Sequence, residues 1–100
     1  MKKNTASQVI GAQMISATDG SDFTGTVTVS VTIDGGTKTA GVGIVTNKTG
    51  GSYSYAPTQA ETNGSNIVFT FSGTGAISSA IQVYTTFPQT SDNATALVTI

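Results

Sequence analysis

Apolar and polar residues alternate most cleanly over residues 26–34. Val27, Val29, Val31 and Ile33 are interleaved there with Thr26, Thr28, Ser30, Thr32 and Asp34. A period of two places the aliphatic side chains on one face of a strand and the hydroxyls on the other. Asp34-Gly35-Gly36 follows and reads as a tight hairpin turn, because its backbone must adopt positive φ. A return strand is expected over residues 37–46, with Val42, Ile44 and Val45 supplying apolar contacts and Gly41 and Gly43 marking a bulge. Before this hairpin, residues 9–16 form a first strand interrupted at Gly11, closed by a turn at residues 18–21.

The same reading continues downstream. Asn47 to Gly51 is a turn. Tyr53 and Tyr55 alternate with Ser52 and Ser54 in a short strand that Pro57 ends. Residues 58–63 are the one place where a single helical turn is expected. Thr58-Gln59-Ala60-Glu61 fits a capping box there, with hydroxyl and carboxylate three residues apart. Ile67, Phe69 and Phe71 then alternate with Val68, Thr70 and Ser72, and Gly73-Thr74-Gly75 breaks the pattern. Residues 80–87 carry Ile81, Val83 and Phe87 on one side. A polar linker over residues 88–93 leads to a last strand at residues 95–100. About seven short strands separated by turn signals predict an all-β fold of two antiparallel sheets packed face to face. Val29, Val31, Ile33, Phe69, Phe71, Ile81 and Val83 are the expected core. Three segments result: residues 1–8 as an N-terminal arm, 9–87 as the sandwich, and 88–100 as linker and strand.

Composition narrows the function. Only 9% of the 100 residues are charged and the net charge is −1. Lys2, Lys3, Lys38 and Lys48 are the only cations, too few for the basic stripe that nucleic acid requires. No apolar run of signal-peptide or membrane-spanning length is present, so the expectation is a chain made in the cytoplasm, complete from Met1, with no membrane partner. With no His and no Cys, histidine-based and cysteine-based catalysis are excluded. The acids Asp19, Asp22, Asp34, Glu61 and Asp92 fall mostly in turns, where a carboxylate bonds its own backbone. Asp19-Gly20-Ser21-Asp22 lacks the downstream bidentate Glu of a calcium loop and reads as a turn. No enzyme, cofactor or metal site is expected. Tyr53, Tyr55 and Tyr84 either line the core or stack on a sugar, with Tyr53 and Tyr84 the candidate ligand-stacking residues.

The run from Tyr53 to Ala76, YSYAPTQAETNGSNIVFTFSGTGA, resembles a module of tailed-bacteriophage structural proteins. The resemblance rests on Tyr55, Pro57, Ala60-Glu61-Thr62-Asn63, the strand Ile67 to Phe71, and Gly73 to Ala76. Asp34-Gly35-Gly36 adds to it upstream. It implies an immunoglobulin-like antiparallel β-sandwich that forms part of a virion, assembled in the host bacterium. The implied function is a multi-copy decoration protein on the capsid exterior, with the major capsid protein as its partner. The alternative is a receptor- or carbohydrate-binding module of a tail or fibre. Residues 95–100 are expected either to close the edge of the sandwich or to augment a sheet of a neighbouring subunit, and Ala96, Leu97, Val98 and Ile100 are the candidate partner interface, because an exposed edge strand is a template for pairing with another chain.

Overall fold

The β-branched and aromatic alternation does produce strands, and they are more numerous and shorter than the pattern suggests. The computed structural model describes residues 1–86, so Phe87 and the expected strand at residues 95–100 lie outside the described residues. Among the described residues nine strands are present: β1 Ile10–Gln13, β2 Ile15–Ser16, β3 Thr28–Ile33, β4 Thr39–Ala40, β5 Ile44–Asn47, β6 Ser52–Ala56, β7 Asn66–Ser72, β8 Ala76–Ile77 and β9 Ser79–Tyr84. A four-stranded sheet runs β4-β3-β7-β9, a three-stranded sheet runs β1-β6-β5, and β2 and β8 form a two-stranded ribbon. Every pairing between these strands is antiparallel. The fold is an all-β sandwich, as expected. The extra strands arise because two expected strands are each broken in two and because a short strand, β8, forms where none was expected.

The first break falls at Met14, not at Gly11, which pairs regularly with Ser54. Met14 is fully buried, and its N–H donates to the Gly51 carbonyl at 2.8 Å while its carbonyl accepts from the Phe23 N–H at 3.1 Å. Its N–H thus keeps the β1–β6 register while its carbonyl turns to Phe23, so the chain changes partners at this residue. The second break divides the expected return strand. β4 pairs with β3, whereas β5 pairs with β6 in the opposite layer. Residues 41–43 carry the chain from one sheet to the other. The unexpected strand is β8: the two residues after the Gly73–Gly75 turn pair with β2, while β9 pairs with β7.

The hairpin before this crossover is set by local chemistry. Asp34 and Gly35 both have positive φ, 51° and 72°, and the Gly36 N–H donates to the Ile33 carbonyl at 2.9 Å. Two successive positive φ values make a type I′ turn, whose twist matches that of the flanking strands. Asp34 tolerates its position because Oδ1 accepts the N–H groups of Ser65 at 2.8 Å and Asn66 at 2.9 Å. Those two bonds hold its carboxyl below the usual carboxylate range.

The core follows the alternation of β3 and β7. Val29, Val31, Phe69, Phe71 and Ile67 are buried, while Ile33, Ile81 and Val83 are half-buried against them. The other layer contributes Tyr53 and Tyr55 from β6, with Ile10, Ala12 and Val45 beside them. Tyr55 joins the layers: its ring lies 5.9 Å from Phe69 and 6.4 Å, edge-on, from Phe71. Val42 and Ile44 do not join the core; they are 75% and 70% exposed. Val42 sits on the crossover, and Ile44 points to the outer face of its sheet, so of the three only Val45 turns inward. Residues 1–8 are tied to the sandwich by backbone bonds, Lys3 N–H to Thr86 O at 2.7 Å, Thr86 N–H to Met1 O at 2.9 Å and Asn4 N–H to Thr62 O at 3.0 Å.

Removing one core ring tests this packing. Phe71→Ala is expected to cost roughly 3–5 kcal/mol in a denaturant melt, the range for deleting a buried aromatic. An unchanged midpoint would place Phe71 outside the core.

Candidate functional site

The residues with the most chemistry converge on the crossover between the sheets. Pro57 ends β6, and a single 3-10 turn follows at Ala60–Thr62. The expected capping box is formed: Thr58 N–H donates to Glu61 Oε1 at 3.0 Å, and Glu61 N–H donates to Thr58 Oγ1 at 3.3 Å. This reciprocal pair fixes the Glu61 carboxylate in the interior, where it is 8% exposed.

Three donors meet that carboxylate. Besides the Thr58 N–H, the Tyr55 hydroxyl donates to Oε1 at 2.6 Å, and the Val42 N–H donates to Oε2 at 2.9 Å. The Tyr55 oxygen in turn accepts the Gly43 N–H at 2.9 Å. Two backbone amides of the crossover, which have left one ladder and not yet joined the other, are thus satisfied by side chains. Gly41 and Gly43 make room for this. A Cβ at Gly41 would strike the Tyr55 hydroxyl, and one at Gly43 would strike the Ala56 carbonyl oxygen. Burial and the bond to Glu61 push the Tyr55 phenol up to about 12.

The neighbouring residue faces the other way. Thr62 is fully buried, and its Oγ1 accepts the Thr5 N–H at 2.8 Å and lies 2.8 Å from the Gln59 carbonyl. Adjacent residues of one short turn therefore clamp the crossover on one side and the N-terminal segment on the other. Sequence reasoning found the capping box but not the role of Tyr55 in it. The available signals were the only Glu in the chain and the pair of glycines flanking Val42.

The other candidates separate. Tyr53 is 2% exposed and its hydroxyl donates to the Gly25 carbonyl at 2.7 Å, so it cannot stack on a ligand. Of the two readings given to it, core or ligand stacking, Tyr53 takes the core one. Tyr84 is 70% exposed on β9, beside the Gln82 amide, whose Nε2 lies 3.4 Å from the tyrosine hydroxyl and 2.9 Å from Asn66 Oδ1. The two tyrosines belong to different sheets and make no common platform. Asp19 bonds the Ser21 N–H at 3.0 Å and hydroxyl at 2.7 Å, an Asx turn that lowers its carboxyl. Among the described residues no group of His, Cys, Asp or Glu is placed to hold a metal ion. Ala96, Leu97, Val98 and Ile100 lie outside the described residues. No family model, no curated protein and no solved structure matches this chain.

Glu61→Ala is expected to destabilise the protein by roughly 2–4 kcal/mol, because it strands buried donors. Urea melts measure this, and a change under about 0.5 kcal/mol would show the crossover to be held elsewhere. A second test uses pH. The folded Tyr55 value, about 12, lies above the ordinary tyrosine value near 10. The native state therefore holds its proton longer than the unfolded chain. The associated stability is complete below about pH 10 and falls as pH rises through 12. Tyr55→Phe should flatten that alkaline loss; an identical profile would contradict the assignment.

Proposed function

We propose that this chain is a non-enzymatic, multi-copy structural protein of a tailed-bacteriophage virion, displayed on the capsid exterior in contact with the major capsid protein. One observation carries the reading. The residues through which the sequence resembles the phage module, Tyr55, Pro57, Glu61 and Thr62, are spent on holding the crossover and the N-terminal segment. They build a sandwich corner and leave no reactive group facing solvent. Its outward-facing strand residues support an adhesive role: Gly11, Gln13, Ser52, Ser54, Ala56, Ile44 and Thr46 on one face are all uncharged. Many such weak contacts, summed over copies, reinforce a shell.

Tyr84 favours a second reading, a glycan-binding module of a tail or fibre, since an exposed aromatic ring beside two side-chain amides suits a sugar. Particle reconstruction with mass spectrometry of purified virions separates the two. Density for the sandwich on the capsid lattice at many copies is expected; location at a fibre tip would favour the glycan reading, and absence from particles would overturn both.

A further inference from the structure

Asn63-Gly64 is the one Asn-Gly pair in the chain, and it closes the corner that carries Glu61 and Thr62. The side-chain amide of an asparagine and the backbone nitrogen that follows it can close a five-membered ring. A glycine in the following position leaves that nitrogen unshielded, because it has no Cβ and turns freely. Asn63 is exposed, so water reaches its amide. The pair thus has the residue types and the access that deamidation requires.

The backbone, however, is held in the opposite conformation. Asn63 has φ −86° and ψ 64°. In an L-residue Cβ stands one third of a turn beyond the residue's own nitrogen about the Cα–C bond, so this ψ sets Cβ and the Gly64 nitrogen trans to each other. Cγ then cannot approach that nitrogen in any rotamer. Ring closure needs half a turn of ψ, and bonds on both sides of the junction oppose it. The Asn63 N–H donates to the Ala60 carbonyl at 3.1 Å. The Gly64 carbonyl accepts the Thr85 hydroxyl. Asp34 Oδ1 accepts the Ser65 and Asn66 N–H groups. Gly64 itself is buried, and a Cβ there would strike the Ile33 side chain and lie 3.1 Å from Asp34 Oδ2.

We propose that Asn63 is a deamidation site that the folded corner keeps shut, and that it reacts when the clamp made by Asp34 and Thr85 opens. In the open corner the Gly64 nitrogen loses its proton to solvent and attacks Asn63 Cγ. The N–Cγ bond forms, the Cγ–Nδ2 bond breaks, and Nδ2 leaves as ammonia with a proton from water. The resulting succinimide adds water, which cleaves one of its two C–N bonds. One cleavage gives aspartate; the other gives isoaspartate, whose main chain runs through Cγ. Either product sets a carboxylate beside the glycine that packs on Asp34, and isoaspartate also lengthens the turn by one backbone atom. Opening of the corner thereby becomes irreversible.

Peptide mapping by mass spectrometry, with isoaspartyl methyltransferase labelling, follows Asn63 in the full-length chain at neutral pH. Asn47 and Asn66, which precede Lys48 and Ile67, serve as slow internal references. Asn63 should react at least about tenfold more slowly in the folded chain than in guanidinium chloride, a ratio set by how rarely the corner opens. Thr85→Val removes the hydroxyl while keeping the shape of the side chain, and Asp34→Ala removes the acceptor for Ser65 and Asn66. Each should speed the folded-state reaction at least about threefold, the effect of one lost hydrogen bond. Hydrogen exchange at the β7 amides checks that each variant is still folded, and Thr85→Val alone decides if Asp34→Ala is not. A folded chain that reacts as fast as the unfolded one, no reaction at Asn63 in denaturant, or a folded-state rate indifferent to the variants would overturn the proposal.

Discussion

A strand that changes sheets must pass through a stretch where neither ladder satisfies its backbone, and in this protein that stretch is half-buried, its glycines against Tyr55 and its Val42 side chain in solvent. The Glu61 carboxylate and the Tyr55 hydroxyl meet the cost by accepting the Val42 and Gly43 N–H groups. Much else depends on that arrangement. Tyr55 can reach the crossover only because glycines at 41 and 43 leave space for its ring. Its ring can then seat against Phe69 and Phe71, which joins the two layers. The capping box that orients Glu61 also positions Thr62 to hold Thr5. One polar knot thus couples the sheet junction, the aromatic core and the N-terminal segment. Groups linked this closely are expected to be energetically non-additive.

The alternation of β3 and β7 was legible because both strands have one buried and one solvated face, the condition under which a period of two appears in sequence. The Asp34-Gly35 turn was legible because few residue pairs accept two successive positive φ values. The division of residues 37–46 was not. A strand that switches sheets reverses which side of the chain is covered, so Ile44 looks like a core residue and is exposed. Gly41 and Gly43 marked the place, but a bulge and a crossover call for glycine alike. Tyr53 and Tyr84 looked equivalent by composition. Only the sheet assignment shows that one is pinned under β1 and β5 while the other stands on the outer face of β9.

The candidate site therefore reads as architecture. A lone buried carboxylate bonded to a tyrosine would suggest acid–base chemistry in an open pocket. Here the donors around Glu61 are backbone amides and a hydroxyl already committed to the fold, and the residue is itself buried. What the molecule offers to partners is surface: uncharged sheet faces, sheet edges and an apolar cleft at the side where the strand crosses. These features support the proposed role in repeated protein–protein contact, and the crossover beside the cleft is the same one the knot secures.

The most direct measurement is native-state hydrogen exchange at the Val42 and Gly43 amides. Both belong to a short connection that bears an exposed side chain, and loop amides of that kind ordinarily exchange by local opening. If the Glu61–Tyr55 knot governs the fold, these two amides should exchange only with the global unfolding that releases the β7 amides, and Glu61→Gln should bring them down toward the local regime. Exchange of Val42 and Gly43 in the unaltered protein as fast as that of the Gly35 turn would contradict the account.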